Sequence, residues 1–62
     1  MLIRRIEVFL RDTGLSWTRF GRMSVGDPRF VADLRNGRTP RSATMKRVEH
    51  FMNIYRKDHH AH

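Results

Sequence analysis

A chain of 62 residues leaves room for one domain, and at this size only about 60% of the unfolded surface is buried, so the core has to be small and dense. Thirteen Lys and Arg against six Asp and Glu give a formal charge of +7 and a pI near 11.6, which point to a polyanionic partner, nucleic acid first. With no cysteine there are neither disulfide staples nor a thiolate zinc site, and no apolar run approaches the roughly 20 residues that span a bilayer, which excludes membrane insertion and fits a cytoplasmic protein.

The opening MLIRRIEVFLR mixes basic and apolar residues as a signal sequence does, but Glu7 interrupts it and no small-residue cleavage site follows. It reads instead as a first helix over roughly residues 2–12. Ile3, Ile6, Phe9 and Leu10 recur at spacings of three and four, which gathers them on one face and turns Arg4, Arg5, Glu7 and Arg11 outward. Asp12-Thr13-Gly14 ends it.

Ser16 is placed to cap a short second helix, its hydroxyl accepting from an early amide, with the helix running to about Met23 or Ser24. Phe20 and Met23 are its expected inward residues. Gly21 in its middle lowers helix propensity by about 1 kcal/mol relative to Ala, so another helix is expected to cross close by. Val25-Gly26 breaks the pattern and Asp27-Pro28 restarts it, Asp as cap and Pro at the first helical position. The third helix spans roughly 28–36, carries Val31 and Leu34 inward, and stops at Asn36-Gly37.

After the polar loop Gly37-Arg38-Thr39-Pro40-Arg41 a fourth helix begins near Ser42, with Met45, Val48, Phe51 or Met52, and Tyr55 at helical spacing. From Lys57 it is expected to fray. No β-type alternation, internal repeat or linker is present. The fold class is therefore all-α, a compact bundle of four short helices, with residues 1–57 as the domain and 58–62 as a disordered His-rich tail.

The second and third helices with the turn between them, Trp17 to Gly37, have the size of a DNA-reading helix-turn-helix. Gly14-Leu15-Ser16 leads into the second helix, Gly21 stands at the crossing, Val31 and Leu34 face inward and Gly37 closes the unit. Pro40, Thr44, Met45 and Val48 follow in a Pro-x-x-x-Thr-Leu-x-x-Ile-like pattern. On these residues the chain resembles the Cro/C1-type (XRE) family, phage-repressor-like, over about residues 2–55. It departs from the family at Val25-Gly26, where Gly-Val is common, and at Trp17, where Gln is common. Too few apolar residues follow Tyr55 for the family's fifth helix.

The resemblance implies a lambda-repressor-like fold and a sequence-specific transcriptional regulator that binds double-stranded DNA in the nucleoid. It places the third helix in the major groove, with Asp27, Pro28, Arg29, Ala32 and Asp33 at the base-reading face. Arg29 suits bidentate readout of guanine O6 and N7. Asp33 has two readings, accepting from a cytosine amino group or pairing with an arginine such as Arg29, the second favoured. Phe30 either touches a thymine methyl or roofs the core, and the core is favoured.

Phosphate contacts are expected from Trp17, Thr18 and Arg19 at the start of the second helix and from Asn36, Arg38, Thr39 and Arg41 after the third. Trp17 reads equally well as a partly buried core aromatic. A homodimer on a palindromic operator is implied, with the exposed share of Phe51, Met52, Ile54 and Tyr55 as its interface. A separate regulatory protein is a further expected partner.

His59, His60 and His62 are metal-ligating in type but lack a scaffold, so neither metal nor cofactor is expected. No Ser/His/Asp arrangement and no glycine-rich phosphate loop occurs, which leaves no catalytic residue and makes an enzyme the weakest reading. Two rivals to the regulator remain. One is a protein-interaction module (antitoxin, anti-repressor or adaptor) on the same scaffold, favoured by Asp27 and Asp33; the other is a nonspecific nucleic-acid binder.

Overall fold

A computed structural model describes residues 2–58. Among them the chain forms four helices and no strand: α1 (Leu2–Thr13), α2 (Trp17–Val25), α3 (Phe30–Arg35) and α4 (Ser42–Asp58). The expected all-α bundle is present. The His-rich tail at 59–62 lies outside the described residues, and α4 runs one residue past 57, through Asp58.

Local chemistry accounts for most of the boundaries. Ser16 takes an extended conformation, and the Arg19 amide donates to its Oγ at 3.1 Å, satisfying one of the unpaired donors of the first turn. Gly26 ends α2 with φ +72°, a left-handed conformation that costs any side-chain-bearing residue about 1–2 kcal/mol. Its amide donates to the Arg22 carbonyl at 3.1 Å, and the next amide, of Asp27, donates to the Gly21 carbonyl at 3.1 Å.

The third helix is shorter than its sequence signals imply. Asp27 does cap, but a turn rather than a helix: its Oδ1 accepts from the Arg29 amide at 2.9 Å and its carbonyl accepts from Phe30 at 3.1 Å. Pro28 and Arg29 therefore lie in that turn. The helix proper starts at Phe30, with the Arg29 carbonyl accepting the first helical bond from Asp33 at 2.9 Å.

Ile6, Phe9, Leu10, Phe20, Phe30, Val31, Val48 and Met52 form the buried core. Phe9 is its hub, meeting Phe20, Phe51 and Tyr55 edge-on at ring separations of 5.6, 6.2 and 5.5 Å. Each such pair adds about 0.5–1.5 kcal/mol beyond the burial itself. Phe30 is core, as favoured, while Leu34 is half-buried.

Two inward assignments shift. Met23, expected inside, is 47% exposed, and Gly21 and Ser24 occupy the buried face of α2 instead. Ser24 loses no hydrogen bond by this, because its hydroxyl donates back to the Phe20 carbonyl at 2.7 Å. On α4 the correction runs the other way. Met52 is 6% exposed and belongs to the core, and Phe51 and Tyr55 are half-buried in the ring cluster, so the apolar surface expected for a dimer contracts to Ile54, at 44% exposure, and the exposed share of Phe51 and Tyr55.

Candidate nucleic-acid interface

A close approach does occur at Gly21, but the backbone of the turn between α2 and α3 makes it rather than a crossing helix, with only the first residue of α3 beside it. A Cβ placed on Gly21 falls far inside van der Waals contact of the Asp27 carbonyl oxygen, 3.2 Å from its carbonyl carbon and 3.3 Å from Phe30 Cβ. The missing side chain lets the turn sit directly on α2. It thereby sets where Pro28 and Arg29 project, both exposed, at the head of α3.

The other three candidate base-reading residues are less open. Asp27, Ala32 and Asp33 are half-buried. Asp33 pairs with Arg38 rather than Arg29: Arg38 Nη1 donates to Asp33 Oδ2 at 3.1 Å, and the Arg38 amide donates to the Asp33 carbonyl at 3.1 Å. The favoured reading, a carboxylate paired with an arginine, thus has a different partner from the one named first. Both aspartates are occupied within the fold, Asp27 as a turn cap and Asp33 as an ion-pair acceptor.

The flanking residues divide in the same way. Trp17, Thr18, Arg19, Asn36, Arg38, Thr39 and Arg41 are all exposed, so each is accessible to a phosphate oxygen. Trp17 is 42% exposed and is no core aromatic. The Arg35 guanidinium lies 5.1 Å over its ring and also pairs with Glu7 of α1, so one arginine ties α1, α2 and α3 together. Nothing local in the sequence signals this contact, since the partners stand 28 and 18 positions from Arg35. Among the described residues no carboxylate lies within ion-pair distance of Arg19, Arg29 or Arg41, whereas Arg35 and Arg38 are engaged internally.

Beside this face, Val25, Phe30, Leu34 and Pro40 floor a cavity of about 350 Å³ whose rim carries Asp33, Arg38, Arg41 and Arg47. Arg47, on α4, is exposed and is not among the residues expected from the sequence at this face. Search of protein-family models, curated proteins and solved structures finds no match to this chain. Its function therefore rests on its own residues. Among those described, no group of three or more His, Cys, Asp or Glu is arranged to hold a metal ion, and no helix is long and apolar enough to cross a membrane.

Away from α3, Met23, Phe51 and Ile54 gather on one shallow groove with Ser24, Arg47 and His50. Two of the four exposed large hydrophobic side chains among the described residues, Met23 and Ile54, stand there together. The sequence reading had found Ile54 but turned Met23 inward.

Proposed function

We propose that this protein is a sequence-specific regulator of transcription that binds double-stranded DNA through α2, the turn and α3 acting as a helix-turn-helix of the Cro/C1 type. The observation that carries the reading is the junction at Gly21. It holds α3 against α2 and offers Pro28 and Arg29 between two exposed polar and basic flanks, Trp17 to Arg19 and Asn36 to Arg41. Arg29 is the base reader, a guanidinium with no carboxylate partner among the described residues, set to meet guanine in the major groove. Ala32 and Asp33 shape the groove-facing surface behind it. The flanking side chains bind phosphates and fix register.

One six-residue α3 reaches only a few base pairs, so two copies are needed for a specific site. They pair through Ile54, with Met23 and the exposed part of Phe51, on a palindromic operator. The protein-interaction rival drew its support from Asp27 and Asp33. Their engagement within the fold removes them as unpartnered charges.

The deciding experiment is a genome-wide selection of bound DNA fragments at one fixed moderate salt concentration, with the wild type and Arg29→Ala. A palindromic motif that relaxes at one position in the variant supports the proposal, at a discrimination loss of about 1–3 kcal/mol. The absence of any enriched motif refutes it. Sedimentation that finds a monomer with and without DNA refutes the pairing.

A further inference from the structure

On the other side of α1 a second basic groove opens between α1 and α4. Arg4, Arg5 and Val8 of α1 and Met52, Asn53 and Arg56 of α4 enclose about 260 Å³. Arg5 and Glu7 stand about 200° apart around the helix. Glu7 reaches Arg35 of α3, whereas α4 forms the wall opposite Arg5 and no residue of α2 or α3 lines the groove, so it stays open when a duplex lies along those helices.

We propose that this groove docks an acidic, amphipathic peptide segment of a partner protein. Three guanidinium groups share it, and one carboxylate balances them: Arg5 donates to Glu49 at 3.0 Å, while no carboxylate of the described residues lies within ion-pair distance of Arg4 or Arg56. Arg56 is nonetheless held in place, its guanidinium 5.4 Å over the Phe9 ring. Like charges facing one another across a groove raise each other's energy, and carboxylates placed between them reverse the sign.

The floor narrows the chemistry further. Val8 is 39% exposed there, beside Met52, so the complementary guest carries an apolar side chain between its carboxylates. The phosphates of a nucleic acid backbone offer no such group. A bilayer presents its charges on a flat surface rather than a ridge that fits a groove.

The test needs no DNA, so it stands or falls apart from the operator experiment. The isotopically labelled full chain is titrated with a blocked synthetic peptide in which glutamate pairs alternate with leucine, and amide shifts are followed by NMR. Shifts centred on Arg4, Val8, Asn53 and Arg56 support the proposal. So does a loss of affinity of about tenfold or more in Arg4→Glu/Arg56→Glu, as expected from replacing two exposed attractions by repulsions. Arg22→Glu/Arg47→Glu, with the same change in net charge at exposed residues outside the groove, is expected to lose less than about threefold, and Val8→Gln to weaken the leucine-containing peptide while leaving oligoglutamate unaffected.

Thermal unfolding of each variant confirms that it folds. The proposal is overturned by shifts spread evenly over all basic faces, by equal losses in the two double variants, or by oligoglutamate binding as tightly as the peptide. It is also overturned if phosphatidylglycerol vesicles produce the groove footprint and the peptide does not.

Discussion

Gly21→Ala sets two effects of opposite sign against each other. Helix propensity alone makes Ala better than Gly by about 1 kcal/mol at an interior position, and Gly21 lies inside α2 with ordinary negative φ. Packing says the reverse. The new methyl would overlap the Asp27 carbonyl oxygen, and restoring normal contact requires the turn to retreat by roughly 1 Å. Overpacking against backbone costs about 1–3 kcal/mol. The retreat also strains the Asp27 amide bond to the Gly21 carbonyl and the Phe30 amide bond to the Asp27 carbonyl, worth about 1 kcal/mol each.

Net of the propensity gain, the loss is about 2–4 kcal/mol. For a domain of this size each kcal/mol moves Tm by about 4–8 °C, so Gly21→Ala is expected to melt at least about 8 °C lower by circular dichroism. Gly26→Ala is the internal standard: nothing lies within 4 Å of its Cβ position, so only the left-handed backbone is penalised, at about 1–2 kcal/mol. A Gly21→Ala variant as stable as wild type, or less damaged than Gly26→Ala, refutes the argument from close approach.

Three further outcomes are expected. Ser16→Ala removes the acceptor for the Arg19 amide and lowers stability by about 1 kcal/mol in urea unfolding, with the m-value unchanged. Phe9→Ala empties the hub of the ring cluster and costs about 3–5 kcal/mol, enough to leave most of the chain unfolded at 37 °C by near-UV circular dichroism. Arg35→Ala uncovers the single tryptophan, Trp17; its fluorescence is expected to shift red and become more accessible to iodide, at a stability cost of at most about 1 kcal/mol because the pair is surface-exposed.

What was legible in the sequence was whatever is settled within a turn or two of helix. The period of Ile3, Ile6, Phe9 and Leu10, the Ser16 cap and the glycine stops are local, and the helices they imply are present. Even the reason for Gly21 was inferable as a close approach, though the partner is the backbone of a turn and not the expected helix. Assignments failed where a distant element decides. Met23 and Ser24 both lie within reach of the apolar stripe of α2, and the small residue went inside because α2 packs closely on both α3 and α4. Likewise Asp27-Pro28 carries a helix-start signal, but the Asp27 side chain was taken up by a turn that the contact with Gly21 holds in place. Arg35 over Trp17 and Asp33 beside Arg38 are choices among several available charges, fixed only by the folded arrangement.

The hub position of Phe9 also bears on when the chain can become resistant to proteolysis during synthesis. Its ring is enclosed by Phe20 from α2 but also by Phe51 and Tyr55 from the second half of α4, and Arg5 is clasped by Glu49. A nascent chain that has emerged only as far as residue 41 carries three helices and a bare flank on its largest buried side chains. Its α2–α3 junction is then complete, yet nothing closes the core around it. Protection should therefore arrive in one step as the ring-bearing turns of α4 leave the ribosome, rather than helix by helix.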